Sequence, residues 1–324
     1  MKVLVTGAAG YIGSHMLFAL LDEGLDVIAL DDLSSSSKAL IPSNVPFIKM
    51  NVGDGQKITD LLIKEKITTV VHFAADVIVS ESMKNPLKYY LNNTSNTAKF
   101  FNSCKNAGIK NIIFSSTAAV YSSSLINKIS EDSETKPVSA YGHSKLFSEK
   151  ILIDLCRSQN LNYIIFRYFN VAGSDPNKRT GQITENATHL IKVACETALG
   201  KREKIQIFGD DYETDDGTCI RDYIHVWDLV NAHLKAIFYL ENGGESKTLN
   251  CGYGKGFSVL EVIKEVKKIS GKNFKTEISG RREGDPPKII ADNSLILEYL
   301  NWVPKYDKLE YIISDAIKWE MHIK

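Results

Sequence analysis

The sequence predicts an α/β fold, a doubly wound parallel sheet followed by a smaller C-terminal domain. Short apolar runs alternate with helical stretches through the first half of the chain, and that alternation is the pattern of parallel strands joined by helices. A glycine-rich turn separates the first run from the first helix. After residue 170 the alternation gives way to a less regular pattern.

The elements follow in order. Residues 2–6, Lys-Val-Leu-Val-Thr, form an apolar, β-branched run that reads as a buried strand. Gly7-Ala8-Ala9-Gly10-Tyr11-Ile12-Gly13 comes next and opens a helix near 11–23. A second strand at 26–30 ends on Asp31, and Ser34–Ser37 reads as the loop after it. Further strands are expected at 46–50, 69–74, 111–116 and 163–168, with helices near 56–65, 86–107 and 141–158. This is a Rossmann-type arrangement. Beyond Ser174-Asp175-Pro176-Asn177, helices are expected near 184–200, 227–241, 258–270 and 307–320. The expected division is a sheet domain over 1–173, with a return segment near 222–252, and a smaller substrate-binding domain over 174–324.

The chain has 324 residues, enough for a large core, and its 39 basic and 39 acidic residues cancel. No basic excess points to nucleic acid or an anionic membrane, so any phosphate must be held by individually placed groups. No run of 18 apolar residues suggests a membrane span, and the N-terminus reads as a strand rather than a signal peptide. The five cysteines are scattered with no Cys-x-x-Cys or Cys/His cluster, so no metal is expected and reduced thiols in a cytoplasmic protein are.

The glycine turn carries the first functional signal. Gly7, Gly10 and Gly13 let the backbone approach a pyrophosphate, while the helix N-terminus beyond them offers free N–H groups. Asp31, 18 residues after Gly13, stands where a carboxylate accepts from an adenosine ribose and repels a 2′-phosphate. No arginine follows in Asp32-Leu33-Ser34, which favours NAD over NADP. The alternative is a glycine-rich turn with no ligand. The second signal is Tyr141 and Lys145, four residues apart and so on one face of a helix. An ammonium beside a phenol stabilises the phenolate, which suits the tyrosine to take a proton from an alcohol. Alone, the pair also fits a half-exposed surface helix. Other strand ends add candidates: Asp54 for the adenine amino group, Phe73 and Ala74, Thr117 as a hydroxyl relay, and Phe169-Asn170. Taken singly, each is more often a turn or cap residue than a ligand.

Together these residues resemble the extended short-chain dehydrogenase/reductase family, in particular its UDP-glucose 4-epimerases. The resemblance is carried by Val-Thr-Gly-Ala-Ala-Gly-Tyr-Ile-Gly-Ser-His at 5–15, His-Phe-Ala-Ala at 72–75 and Tyr-Gly-His-Ser-Lys at 141–145. It continues through Arg-Tyr-Phe-Asn-Val-Ala-Gly at 167–173, Asp-Gly-Thr-Cys-Ile-Arg-Asp-Tyr-Ile-His-Val at 216–226 and Arg-Arg-Glu-Gly-Asp-Pro at 281–286. It implies that Tyr11, Ile12, Asp31, Asp54, Phe73, Asn92, Lys145 and Phe169 contact NAD, and that Thr117 and Tyr141 flank the sugar 4-hydroxyl. It assigns Asn170, Asn186, Phe208, Arg221, Arg282 and Asp285 to the UDP-sugar. Arg221 and Arg282 can also fork onto pyrophosphate oxygens on physical grounds, the alternative being surface ion pairs with Asp222 or Glu283. The implied reaction is reversible epimerisation of UDP-glucose and UDP-galactose at C4 through a 4-keto sugar. The implied assembly is a homodimer formed through the 86–107 and 141–158 helices.

The chain departs from many family members at Ser122, Val77 and Ala140, where they carry glycine, a cofactor-contacting lysine and proline. Ala118-Ala119 stand where dehydratases carry an Asp-Glu pair, and alanines cannot transfer protons. The alternatives are an epimerase for N-acetylated or uronate sugars and a noncatalytic NAD-sensing protein. Ile289 falls where the family shapes the wall beside the sugar 2-substituent.

Overall fold

The computed structural model describes residues 1–122, 128–184, 187–282 and 285–323. The first half holds strands β1 (Lys2–Thr6), β2 (Asp26–Asp31), β3 (Phe47–Lys49), β4 (Thr69–His72), β5 (Asn111–Thr117) and β6 (Asn162–Tyr168). Between them run α1 (Tyr11–Asp22), α2 (Gln56–Lys64), α3 (Val79–Lys84), α4 (Pro86–Tyr89), α5 (Thr97–Asn106) and α6 (Ala140–Ser158). The second half adds β7 (Asn170–Ala172), β8 (Lys204–Phe208), β9 (Ile220–Arg221), β10 (Tyr223–His225), β11 (Lys247–Cys251), β12 (Phe257–Ser258), β13 (Lys275–Ser279) and β14 (Lys288–Ile289). Its helices are α7 (Leu190–Ala198), α8 (Val226–Glu241), α9 (Val259–Ser270), α10 (Ser294–Leu300) and α11 (Leu309–His322).

Among the described residues seven strands form one parallel sheet in the order β11-β6-β5-β4-β1-β2-β3. Chain order reverses between β1 and β4, which opens a crevice at their C-terminal ends. Central strands buried on both faces explain why the sequence shows near-continuous apolar runs: Val3, Leu4 and Val5 of β1 are all fully buried. One face packs on α1 and α8 through Met16, Leu20, Leu229 and Ile237. The other packs on α2, α5 and α6 through Ile58, Phe100, Phe101 and Leu152. β11 extends the sheet beside β6, although its sequence lies between substrate segments.

Two expected elements differ. The expected helix at 86–107 is α4 and α5 joined by a π segment, Tyr90–Asn96. That wider turn lets Asn93 reach back to the loop after β4: its Oδ1 accepts from Asp76 N at 2.8 Å and its Nδ2 donates to the Asp76 carbonyl at 2.9 Å. The helix expected from 184 begins at Leu190.

The short strands of the second half hold the remaining framework. Asp222 accepts backbone N–H groups from Tyr253 at 3.0 Å, Gly254 at 2.9 Å and Ala291 at 3.2 Å. Its buried carboxylate thereby ties three segments together.

Candidate active site

The glycine turn sits at the end of β1. Gly7 has φ +64, and a Cβ there would lie 2.7 Å from Ala74 N. A Cβ on Gly13 would lie 2.1 Å from the Gly7 carbonyl oxygen. The loop is therefore a cradle that side chains would fill. Gly10 is the N-cap of α1 and gives no side-chain cap, so the first N–H groups of the helix, at Tyr11 and Ile12, face the crevice without one. Asp31 closes the same crevice from β2. Its Oδ2 accepts from Ala9 N at 3.0 Å, and its Oδ1 accepts from Leu33 N at 2.8 Å and Ser36 Oγ at 2.7 Å. The carboxylate thus also fixes the cradle to the Ser34–Ser37 loop. The residues present fit a dinucleotide: a backbone cradle at a helix N-terminus, with an acid at the end of the next strand.

Around this crevice the other expected cofactor residues lie as follows. Phe73 and Ala74 follow β4, with the Phe73 ring 5.0 Å from His233. Asn92 lies in the π segment and donates to Asp76 Oδ2 at 2.9 Å. Asp54 is exposed in the turn before α2. Phe169, 8% exposed, joins a small apolar cluster with Tyr121 and Leu146. Tyr11 directs its hydroxyl inward to the Gly173 carbonyl at 2.7 Å.

The reacting group is assembled at the ends of β5 and α6. Ser139 caps α6 by accepting from Gly142 N at 3.1 Å, which places Tyr141 and Lys145 on successive turns against β5. Tyr141 and Lys145 are 8% and 3% exposed. The Tyr141 hydroxyl stands near the Thr117 side chain, and its ring meets the edge of Tyr89 at 6.3 Å. Lys145 Nζ donates to the Ser115 carbonyl at 2.8 Å and stands 4.9 Å from the Phe114 ring.

One expectation is corrected. Lysine proximity was expected to lower the tyrosine pKa, but here burial raises Tyr141 above 10.0 and the Thr117 side chain only partly offsets it. Burial also pulls Lys145 down to about 7, with Glu149 opposing the fall. The cause is common to both groups: the first turns of α6 are shut against the sheet, where charge is poorly solvated.

The UDP-sugar candidates gather opposite. Arg221 bonds to Asp285, 64 residues away, and Arg282 stacks over the Phe208 ring at 3.9 Å. The expected alternative of an Arg221–Asp222 pair does not form, because Asp222 is taken up by backbone N–H groups. Asn186 and Glu283 lie outside the described residues. Ile289 pairs in register with Arg221. A cavity of about 200 Å³ separates the two groups. Ala118, Ala119 and Ser139, neighbours of Thr117 and Tyr141, line one side; Asp285 and Ile289 line the other. The segments that carry Thr117 and Tyr141 thus meet, across this cavity, the segment that carries Asp285 and Ile289.

The sequence of the relatives agrees with this geometry. The profile of the NAD dependent epimerase/dehydratase family matches residues 3–252, which contain the cradle, Tyr141 and Lys145. The chain belongs to that family. It is 47% identical over 323 residues to the UDP-glucose 4-epimerase of Azospirillum brasilense, covering 100% of this chain and 93% of the relative. The structure of the UDP-glucose 4-epimerase from Brucella ovis in complex with NAD superposes with a TM-score of 0.95 at 36% identity, covering 98% of this chain and 97% of that one. The UDP-Glc/GlcNAc 4-epimerase of Campylobacter jejuni gives a TM-score of 0.87 at 47% identity, covering 99% of each chain.

Sequence reasoning missed two groups. The first is His189, Leu190 and Tyr223, which the β7–β10 pairing and the start of α7 bring to a second, small cavity beside the expected Asn170. Glu149 and Arg167 form a buried ion pair behind Lys145. The spacing of Glu149, four residues after Lys145, was the available signal for it.

Proposed function

We propose that this enzyme interconverts UDP-glucose and UDP-galactose by reversible, NAD-dependent epimerisation at sugar C4. The observation that carries the reading is the cavity that Ala118, Ala119 and Ser139, the chain neighbours of Thr117 and Tyr141, share with Asp285, the partner of Arg221. The names of the relatives support the same substrate pair.

NAD, when bound, supplies a hydride acceptor that is restored in each turnover. The cradle at Gly7, Gly10, Tyr11, Ile12 and Gly13 would hold its pyrophosphate, with Asp31 on the adenosine ribose. Asp54, Phe73, Ala74, Asn92, Lys145 and Phe169 complete that set. Tyr141 exchanges a proton with sugar O4, directly or through the Thr117 hydroxyl, and must do so in both directions. The ammonium of Lys145 favours the phenolate during that exchange. The hexose must present both faces of C4, so binding falls on the nonreacting UDP. Arg221 and Arg282 take the pyrophosphate as charge-assisted forks, and Phe208, Asp285, Asn170 and Asn186 hold the rest. Ala118 and Ala119 offer no second acid/base pair, which argues against a dehydratase.

In domain terms, residues 1–173 with a return near 222–252 serve the cofactor, and 174–324 mainly serve the UDP-sugar. A homodimer is supported by exposed apolar residues on the segments expected to pair: Leu87, Leu91 and Phe147 are 69%, 63% and 41% exposed. A light-scattering mass of two chains would agree with it, and a mass of one chain would not. Five cysteines without disulfides support a cytoplasmic setting.

The test is a coupled assay in which UDP-galactose turnover feeds a UDP-glucose dehydrogenase. Turnover without added NAD supports the reading; released NAD without turnover would mark a sensor instead. A wider sugar range is a second reading, favoured by the 47% identity to the dual-specificity Campylobacter jejuni enzyme. The same assay with UDP-N-acetylgalactosamine, coupled to detection of UDP-N-acetylglucosamine, decides it.

A further inference from the structure

A buried ionic cluster stands behind Lys145, and the chemistry above does not use it. Glu149 follows Lys145 by one turn of α6, which sets their Cβ atoms ~5–6 Å apart on one face. Glu149 is 1% exposed. Ser116 Oγ donates to its carboxylate, and Arg167 of β6 forks onto it, Nε to Oε1 at 3.1 Å and Nη2 to Oε2 at 2.7 Å. Arg167 is locked in turn, with Nη1 donating to Tyr121 Oη at 3.1 Å and to the Glu131 carbonyl at 3.1 Å. A fork held from both sides fixes the carboxylate in place.

Among the described residues, the other groups facing Lys145 supply no negative charge near neutral pH. His72 of β4 is kept neutral, its burial lowering it to about 3. Tyr141 on α6, Tyr168 on β6 and Tyr89 on α4 are phenols that burial raises above 10.0. The π segment presents the neutral Asn93, which bonds to Ser144 of α6 at 3.1 Å. Ser115 gives Lys145 a neutral carbonyl. Glu149 is therefore the anion that can favour the ammonium. With Tyr141 neutral, the set Tyr141, Lys145, Glu149 and Arg167 carries one excess positive formal charge, which a phenolate cancels.

We propose that Glu149 is a positioning residue for the proton exchange: held by Arg167 and Ser116, it keeps Lys145 an ammonium so that the phenolate of Tyr141 has its counter-charge. The purpose assigned to the ammonium rests on the epimerase reading; the charge coupling itself does not. Removing the carboxylate also leaves the Arg167 guanidinium to repel the ammonium, so both effects lower the lysine pKa.

The test titrates lysine directly. Protein labelled with ¹³C at lysine Cε is followed by NMR against pH without substrate, with Lys145→Arg assigning the resonance. The wild-type midpoint is expected near 7. In Glu149→Gln it should fall by at least about one pH unit, and in Glu149→Asp, which keeps the charge, it should stay within about half a unit. Arg167→Met should raise it by about one unit, and this opposite sign decides the matter if Glu149→Gln does not fold. The loss of kcat/KM for UDP-galactose outside the ammonium range should follow the same order. An unmoved midpoint in Glu149→Gln, or a fall in Arg167→Met, would overturn the proposal and leave the pair a packing feature. An inactive wild type would sink the epimerase reading while leaving the lysine result standing.

Discussion

Gly13→Ala tests the cradle at the point where the chain has least room. The added Cβ would lie 2.1 Å from the Gly7 carbonyl oxygen, 2.8 Å from Gly7 C and 2.9 Å from Ala8 Cα. All three are backbone atoms, so no side chain can swing aside. Gly7 cannot retreat either, because its own Cβ position is already 2.7 Å from Ala74 N at the end of β4. The turn must open, separating α1 from β4 across the crevice. Overpacking costs about 1–3 kcal/mol, and a backbone contact belongs at the upper end. At about 3 kcal/mol, thermal unfolding of a chain this size should move down by roughly 4–5 °C. NAD retained through purification, measured after acid release, should drop to a small fraction of wild type. Gly10→Ala is the graded control. Its nearest contact is 3.2 Å, to the Gly7 carbonyl oxygen, so its effect should be distinctly smaller. Full NAD content with unchanged Tm in Gly13→Ala would refute the steric argument and the cradle with it.

Arg282→Ala should raise KM for UDP-galactose by about 10- to 150-fold, matching a lost charged hydrogen bond of about 1.5–3 kcal/mol, with kcat changed less. A pure loss of kcat would give Arg282 a different role. Ile289 lines the cavity and is β-branched, so an acetamido group must press on it, and UDP-N-acetylgalactosamine should be about 5- to 150-fold poorer in kcat/KM than UDP-galactose. Ile289→Ser should narrow that ratio, and equal values in wild type would contradict the wall. Buried neutral His15, His72 and His233, lowered to about 4, 3 and 4 from 6.5, make the fold acid-sensitive. The unfolded chain binds their protons first, so their contribution is complete above pH 6.5 and is lost as pH falls through their folded values. The loss is at most about 2 kcal/mol per histidine by pH 5. Asp222, which burial lifts to about 6, opposes part of it. Urea midpoints should fall between pH 7 and pH 4, and a flat profile would exclude the histidines as the cause.

The first half of the fold was legible because its signals are local. β1, the cradle and α1 follow one another within 22 residues, and each strand buried on both faces shows as an apolar run. The Tyr141–Lys145 face was legible for the same reason, as an i, i+4 spacing on one helix. A return segment near 222–252 was expected, but the pairing of β11 with β6 was not legible, since nothing in residues 247–251 names a partner more than 80 residues earlier. Arg221 and Asp285 were separate candidates in the sequence, and only the fold pairs them, with Asp285 on the cavity wall. The π segment at 90–96 left no local mark, because it answers to the loop it must reach. Burial also decided the protonation behaviour of Tyr141 and Lys145. Spacing gives the neighbour of a charge but not the solvent it loses, so the expected lowering of the tyrosine was reversed in the free site.

The measurement that bears most directly on the account is the turnover of UDP-galactose by Tyr141→Phe, with NAD content determined on the same sample. The substitution removes one oxygen, the one near Thr117, and leaves the ring against Tyr89. The account predicts a fall in kcat of at least roughly a hundredfold, the low end for losing a general acid/base. It predicts wild-type NAD content, because the glycine cradle and Asp31 are untouched. Near-normal turnover in that variant, with NAD bound, would contradict it.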